Sequence, residues 1–296
     1  MAETKRTVGQ GRNTTAGDPA LAGPTIATLS RPKSVVWRRF LRHKAAVGAP
    51  LFARNDPYKV NISAYRKGPQ VAHPLGTDSS GRDVFSRLLH AGRVSLSVGL
   101  VAVTIYTAIG VVLGALAGFY GGWVDSVIMR LADVVLSFPT LILIITIVSL
   151  LGPSIYNIML VIGLLGWPPI ARIVRGLFLT LREREFILAG RTIGASNRRL
   201  IFRHILPNAV APVIVAATIG MASAILLEAG LSFLGLGVQP PTPSWGNMLT
   251  DAQSLTVLES MPWLWIPPGV MIALAVLSIN FIGDGLRDAL DPHLLR

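Results

Sequence analysis

The chain has 296 residues, 51% hydrophobic and only 14% charged, with a mean hydropathy of +0.56. An ordinary soluble domain carries roughly 25% charged residues, so this composition excludes a soluble enzyme and specifies an integral membrane protein. There is no cysteine, and the net charge of +12 is segregated between apolar stretches, which suits cytoplasmic loops and not a nucleic-acid-binding face.

In chain order, residues 1–34 lack apolar periodicity and read as a weakly ordered tail without a signal sequence. Residues 35–44 set Arg38, Arg39, Arg42 and Lys44 beside Trp37 and Phe40, as a segment at a lipid interface does. We therefore read 1–44 as a basic cytoplasmic tail. Between Lys44 and Arg54 only nine uncharged residues remain. At 1.5 Å per residue they reach about 14 Å, well short of a bilayer core of about 30 Å. Residues 45–92 are thus expected to precede the first span.

Val94 to Val124, Val134 to Ala171, His204 to Leu227, Ala229 to Thr250 and Ser260 to Gly283 carry no Asp, Glu, Lys or Arg. Gly152-Pro153-Ser154 divides the second stretch in two. Five helical spans follow, at roughly 95–119, 132–151, 157–178, 209–231 and 264–284. Gly110, Gly114, Gly118 and Gly122 recur every four residues and form a smooth stripe for close helix packing. Phe138-Pro139, Trp167-Pro168-Pro169 and Pro267-Pro268-Gly269 mark kinks, which suit a pathway lining and a static bundle equally. Glu228 is an ionisable group in an apolar span, either a pathway group or a structural partner.

Lys and Arg number nine in 1–44, seven in 54–93 and eight in 172–203, but none in 237–262. The positive-inside rule places 172–208 in the cytoplasm and 237–262 outside. Alternation also puts 54–93 outside despite its seven cations.

There is no nucleotide-binding loop, zinc-protease motif, nucleophile elbow or dinucleotide fingerprint. No catalytic residue, metal site or directly bound cofactor is expected. The informative segment is 184–208, too long for a simple connector. Phe186, Ala189, Gly190 and Ile193 share one helical face. Gly194 ends that helix, Ser196 caps the next, Leu200, Ile201, His204 and Ile205 form a second face, and Pro207 stops it. Two short amphipathic helices at the cytoplasmic edge make a docking knob or an interfacial pair lying on lipid.

This segment resembles the coupling loop of type I ABC importer permeases. Gly194 stands at the loop's central glycine and His204-x-Leu206-Pro207-Asn208 at its end. His73-Pro74-Leu75-Gly76-Thr77-Asp78 with Gly81-Arg82-Asp83 is similar to the peptide-type permeases, as are Glu228 to Gly237, Pro240 to Gly246, and Gly283 to Pro292. Over residues 73–292 the chain resembles the C-type permease of dipeptide, oligopeptide and nickel importers.

The resemblance implies an all-α type I ABC importer fold over 93–288, a C-terminal tail at 289–296, and a first helix that is absent or truncated in 45–92. It implies a bacterial or archaeal cytoplasmic membrane and four kinds of contact: a homologous second permease, two cytoplasmic ATPases carrying ATP and magnesium, an extracytoplasmic solute-binding protein, and membrane lipid. Nucleic acid is not among them. Carried onto this sequence, the coupling residues are Glu185, Phe186, Ala189, Gly190, Arg191, Gly194, Ala195, Ser196, His204, Leu206, Pro207 and Asn208. Trp245 and Gly246 are expected to face the binding protein. The loop's usual Glu-Ala-Ala reads Leu188-Ala189-Gly190, so its acidic member is missing. The implied function is ATP-driven peptide import. Nickel chelates or another small solute are the alternative cargo, and a secondary transporter or channel is the rival class.

Overall fold

The computed structural model describes residues 55–290. The basic tail, the short segment expected to hold a truncated first helix up to residue 54, and residues 291–296 lie outside the described residues. Among the described residues every regular element is helical: α1 Val84–Tyr120, α2 Gly122–Ser137, α3 Thr140–Leu151, α4 Ile155–Leu165, α5 Trp167–Leu181, α6 Glu185–Thr192, α7 Asn197–Phe233, α8 Trp245–Met248, α9 Leu255–Ser260 and α10 Pro262–Leu290.

Asp83 caps α1, its carboxylate accepting the Ser86 N–H at 2.9 Å. With 37 residues α1 is about 55 Å long, so its first turns stand clear of a bilayer about 30 Å thick. It ends at Gly121 and Gly122, with φ of +66° and +56°, two successive left-handed residues that turn the chain into α2. Phe138 is extended because Pro139 follows it, and α2 and α3 meet there at 85°. The span expected over 132–151 is therefore two helices at a sharp bend. Proline costs α5 little, because Pro168 and Pro169 sit in its first turn, where the N–H groups have no helical partner.

The expected stop at Pro207 is corrected: the helix runs on to Phe233. Leu200–Ile205 form a π-turn, with the Leu206 N–H reaching back to the Ile201 carbonyl. The wider turn accommodates the proline ring, and the Asn208 amide donates to the His204 carbonyl at 2.6 Å. Among the described residues four helical segments are long and apolar enough to cross a membrane, namely α1, the joined α4–α5 segment Ile155–Leu181, α7 and α10, or five with the bent α2–α3 pair.

The core lies where α1 meets α4, α5 and α7, around Tyr106, Ile144, Ile170, Val174 and Phe178. A second cluster joins the start of α1 to α8 and α10 through Leu88, Trp245, Met248 and Leu264.

Candidate functional site

The two ends of α1 carry different structures. At its start, residues 55–83 and the loop after α7 form one cap. Asp78 accepts from Arg82 Nε at 2.8 Å and pairs with Arg87 Nε at 3.3 Å. Arg87 Nη1 donates to the carbonyls of Pro57 and Pro241, at 3.2 and 3.3 Å. Residues 55–93 therefore lie at the same end of the bundle as 237–262, as helix alternation requires. Part of their positive charge is already neutralised, because Arg82 and Arg87 pair with Asp78 inside the cap. Asp251 lines a cavity of about 240 Å³ there with Asp78, Arg82 and Arg87. Burial holds its carboxyl above the usual range, and Asp78 adds to this against the opposing effects of Ser79, Arg66 and Arg82.

Glu228 is fully buried just beneath this cap. The hydroxyls of Ser95 on α1 and Ser232 on α7 donate to its two oxygens, at 2.8 and 2.7 Å. Each serine in turn accepts a backbone N–H, Ser95 from Trp245 at 3.2 Å and Ser232 from Val238 at 3.1 Å. The network ties α1, α7 and the outer loop together, which is a structural role. Trp245 and Gly246 do not meet the expectation of an outward contact. The Trp245 indole is 3% exposed and donates to the Leu88 carbonyl at 3.1 Å. A side-chain carbon on Gly246 would come within 2.6 Å of the Ala229 backbone. Both are interior packing residues.

Along α1, the glycine stripe contacts α5. A Cβ on Gly110 would lie 2.7 Å from Ile170 Cβ, on Gly114 2.5 Å from the Ala171 carbonyl, and on Gly118 2.6 Å from Phe178 Cβ. Gly122 leaves the stripe: nothing lies within 4 Å of its Cβ position, and it serves the corner instead.

At the far end of α1, residues 182–208 form a helix-turn-helix. Glu185 in the first turn of α6 and Arg191 in its last both complement the helix dipole. Gly194, with φ +81°, follows α6 in a Schellman turn. The Ala195 N–H reaches the Gly190 carbonyl and the Gly194 N–H the Arg191 carbonyl, both at 3.0 Å. Ser196 Oγ accepts the Arg199 N–H at 3.4 Å at the start of α7. Leu200 and Ile205 are fully buried, with Ile201 and His204 half-buried beside them.

The four residues grouped on one face of α6 do not share one environment. Ile187 is its fully buried residue, and Gly190 faces Leu200, whereas Phe186 and Ile193 are 48% and 86% exposed. Leu188 and Ala189 are exposed too. Phe186, Ala189 and Ile193 make one apolar strip, Ile187 and Gly190 another, and helical periodicity does not choose between them. Phe202 on α7 is exposed as well, at 62%, as are the charged residues Glu185, Arg191, Arg198 and Arg199. Ala195 and Leu206 are half-buried, and Pro207 and Asn208 are exposed.

Sequence reasoning missed Ser95, Ser232 and the pairing of Asp125 with Arg175. A hydroxyl in an apolar run was the one available sign of the serines.

These features define a polytopic helical membrane protein. Residues 110–296 match the family model for the binding-protein-dependent transport system inner membrane component. The chain is similar to a putative peptide permease protein of Brucella suis, 44% identical over 285 residues and covering 92% of this chain and 94% of that one. It is similar to the dipeptide transport system permease protein DppC of Alkalihalophilus pseudofirmus, 47% identical with 84% and 81% covered. It is also similar to the glutathione transport system permease protein GsiD of Pectobacterium atrosepticum, 42% identical with 91% and 96% covered. Its fold matches a chain of the MetNI methionine ABC transporter in an inward-facing form, at 19% identity, a TM-score of 0.57, and 69% and 96% coverage.

The chain belongs to the binding-protein-dependent transport system inner membrane component family. It is a multi-pass inner-membrane permease subunit with the type I ABC importer fold.

Proposed function

We propose that this permease imports short peptides, pairing with a homologous permease to enclose the pathway. Two cytoplasmic ATPases bind and hydrolyse ATP with magnesium, and an extracytoplasmic binding protein delivers the substrate. The observation that carries the docking role is the exposure of the large apolar residues Phe186, Ile193 and Phe202 on a helix pair whose Ile187, Leu200 and Ile205 are buried in the bundle. The peptide cargo is supported by the names of the relatives, which are dipeptide, glutathione and other peptide permeases.

In mechanism, ATP binding closes the ATPase pair, and the closure shifts the helix pair. An equilibrium between two arrangements of the bundle moves only as far as the ATPase binds one better than the other. The exposed strip supplies such differential contact. Proteoliposomes holding the complete importer test this with labelled dipeptide, glutathione and a nickel chelate, each with its binding protein. ATP-dependent dipeptide or glutathione accumulation is the expected result. Nickel-chelate uptake alone would overturn the cargo, and failure of any ATPase to co-purify would overturn the coupling role.

A further inference from the structure

Helix α2 has one fully buried residue, Ala132, with Ile128, Met129 and Val135 partly buried against the core. The corner before it is two left-handed glycines, and nothing touches the Cβ position of Gly122. Such a corner does not set the direction in which α2 leaves α1. Polar ties add to that packing: Arg172 and Arg175 on α5 pair with Asp133 and Asp125 on α2, while two further arginines hold the end of α1 beside the corner.

Arg175 on α5 donates to both carboxylate oxygens of Asp125 on α2, from Nε to one and from Nη2 to the other at 2.6 Å. Two parallel bonds fix angle as well as distance, which a single surface ion pair does not. Arg182, just after α5, donates to the Gly118 carbonyl at 3.1 Å. That carbonyl lies in the last turn of α1, where carbonyls lack helical donors and the dipole favours a cation. Arg191, in the last turn of α6, lies over the Phe119 ring with its guanidinium carbon 5.6 Å from the ring centroid. Phe119 is 6% exposed, so this cation rests on a fixed part of the core.

We propose that Arg175, Arg182 and Arg191 latch the α1–α2 corner to the end of α5 and to α6, so that α2 moves with the coupling helix pair as one body. They are positioning residues. The latch explains how a displacement at the cytoplasmic surface reaches the bent α2–α3 arm. It rests on the proposed coupling role of 184–208.

The cysteine-free chain allows a direct test. Spin labels at Ser126→Cys on α2 and Thr192→Cys on α6 report their separation in the complete importer, without nucleotide and with a non-hydrolysable ATP analogue. The latch requires one narrow distance distribution in both states. In the triple variant Arg175→Gln, Arg182→Gln, Arg191→Gln, the distribution broadens and uptake is lost. The exchange Arg175→Asp with Asp125→Arg restores the narrow distribution relative to Arg175→Asp alone. A separation that shifts between nucleotide states in the otherwise unmodified importer, with the ATPase bound, overturns the latch. So does a triple variant with unchanged distances and uptake. Absence of the ATPase from the unmodified importer overturns the coupling reading instead.

Discussion

Gly114 offers the sharpest test of how the bundle is built. A Cβ there would lie 2.5 Å from the Ala171 carbonyl oxygen and 2.8 Å from Val174 Cβ, whereas ordinary contact begins at 3.4 Å. Gly114→Ala must therefore push α1 and α5 apart by about 1 Å, a gap that forfeits a quarter to a half of each contact's attraction. The loss extends along the stripe, because Gly110 against Ile170 and Gly118 against Phe178 open with it. Overpacking of this kind costs about 1–3 kcal/mol, or about 3–10 °C in Tm for a protein of this size. Gly114→Leu exceeds that range and lowers the yield of the assembled complex. Gly176 on α5 is the internal control: its Cβ position is open, so Gly176→Ala gains helix propensity of up to about 1 kcal/mol. Thermal unfolding of the purified protein in detergent separates the two. A Gly114→Ala protein as stable as Gly176→Ala would refute close packing at the stripe.

Three further outcomes follow from the site. Gly194→Val places a β-branched residue at φ +81°, at a cost of about 1–2 kcal/mol; we expect normal membrane insertion, weaker ATPase co-purification and loss of ATP-driven uptake, and full uptake would refute the role of the turn. Glu228→Ala leaves Ser95 and Ser232 without their acceptor and lowers stability by about 1–3 kcal/mol, whereas Glu228→Gln retains one acceptor oxygen and costs less; equal melting temperatures for the two variants would contradict the network. Burial raises the Asp251 carboxyl, so the folded state favours its protonated form. Its contribution to stability is fully present below the unfolded value of about 3.9 and is lost as pH rises through the folded one. Asp251→Asn removes that dependence and matches or exceeds the wild-type stability at neutral pH; a melting profile against pH that is unchanged by the substitution would contradict this assignment.

Much of the architecture is legible in one dimension. Uncharged runs of about 20 residues mark spans because charge is costly in hydrocarbon, and the cations at 172–203 mark the cytoplasmic side. The turn at Gly194 is legible because few residues other than glycine adopt a left-handed φ readily. Tertiary structure decided which surfaces are used. It turned Ile187 inward and left Phe186 and Ile193 exposed, buried Trp245 against α1, and carried the helix through Pro207 on a π-turn. It brought Glu228 to Ser95, 133 residues away, and Asp125 to Arg175, 50 residues away. The physical reason is common to these cases. Lipid and protein interior are both apolar, so hydropathy identifies a membrane helix without indicating which side meets lipid and which meets another helix. Only the packed bundle supplies the partner that makes a glycine a contact, a carboxylate a structural tie, or an apolar strip a free surface.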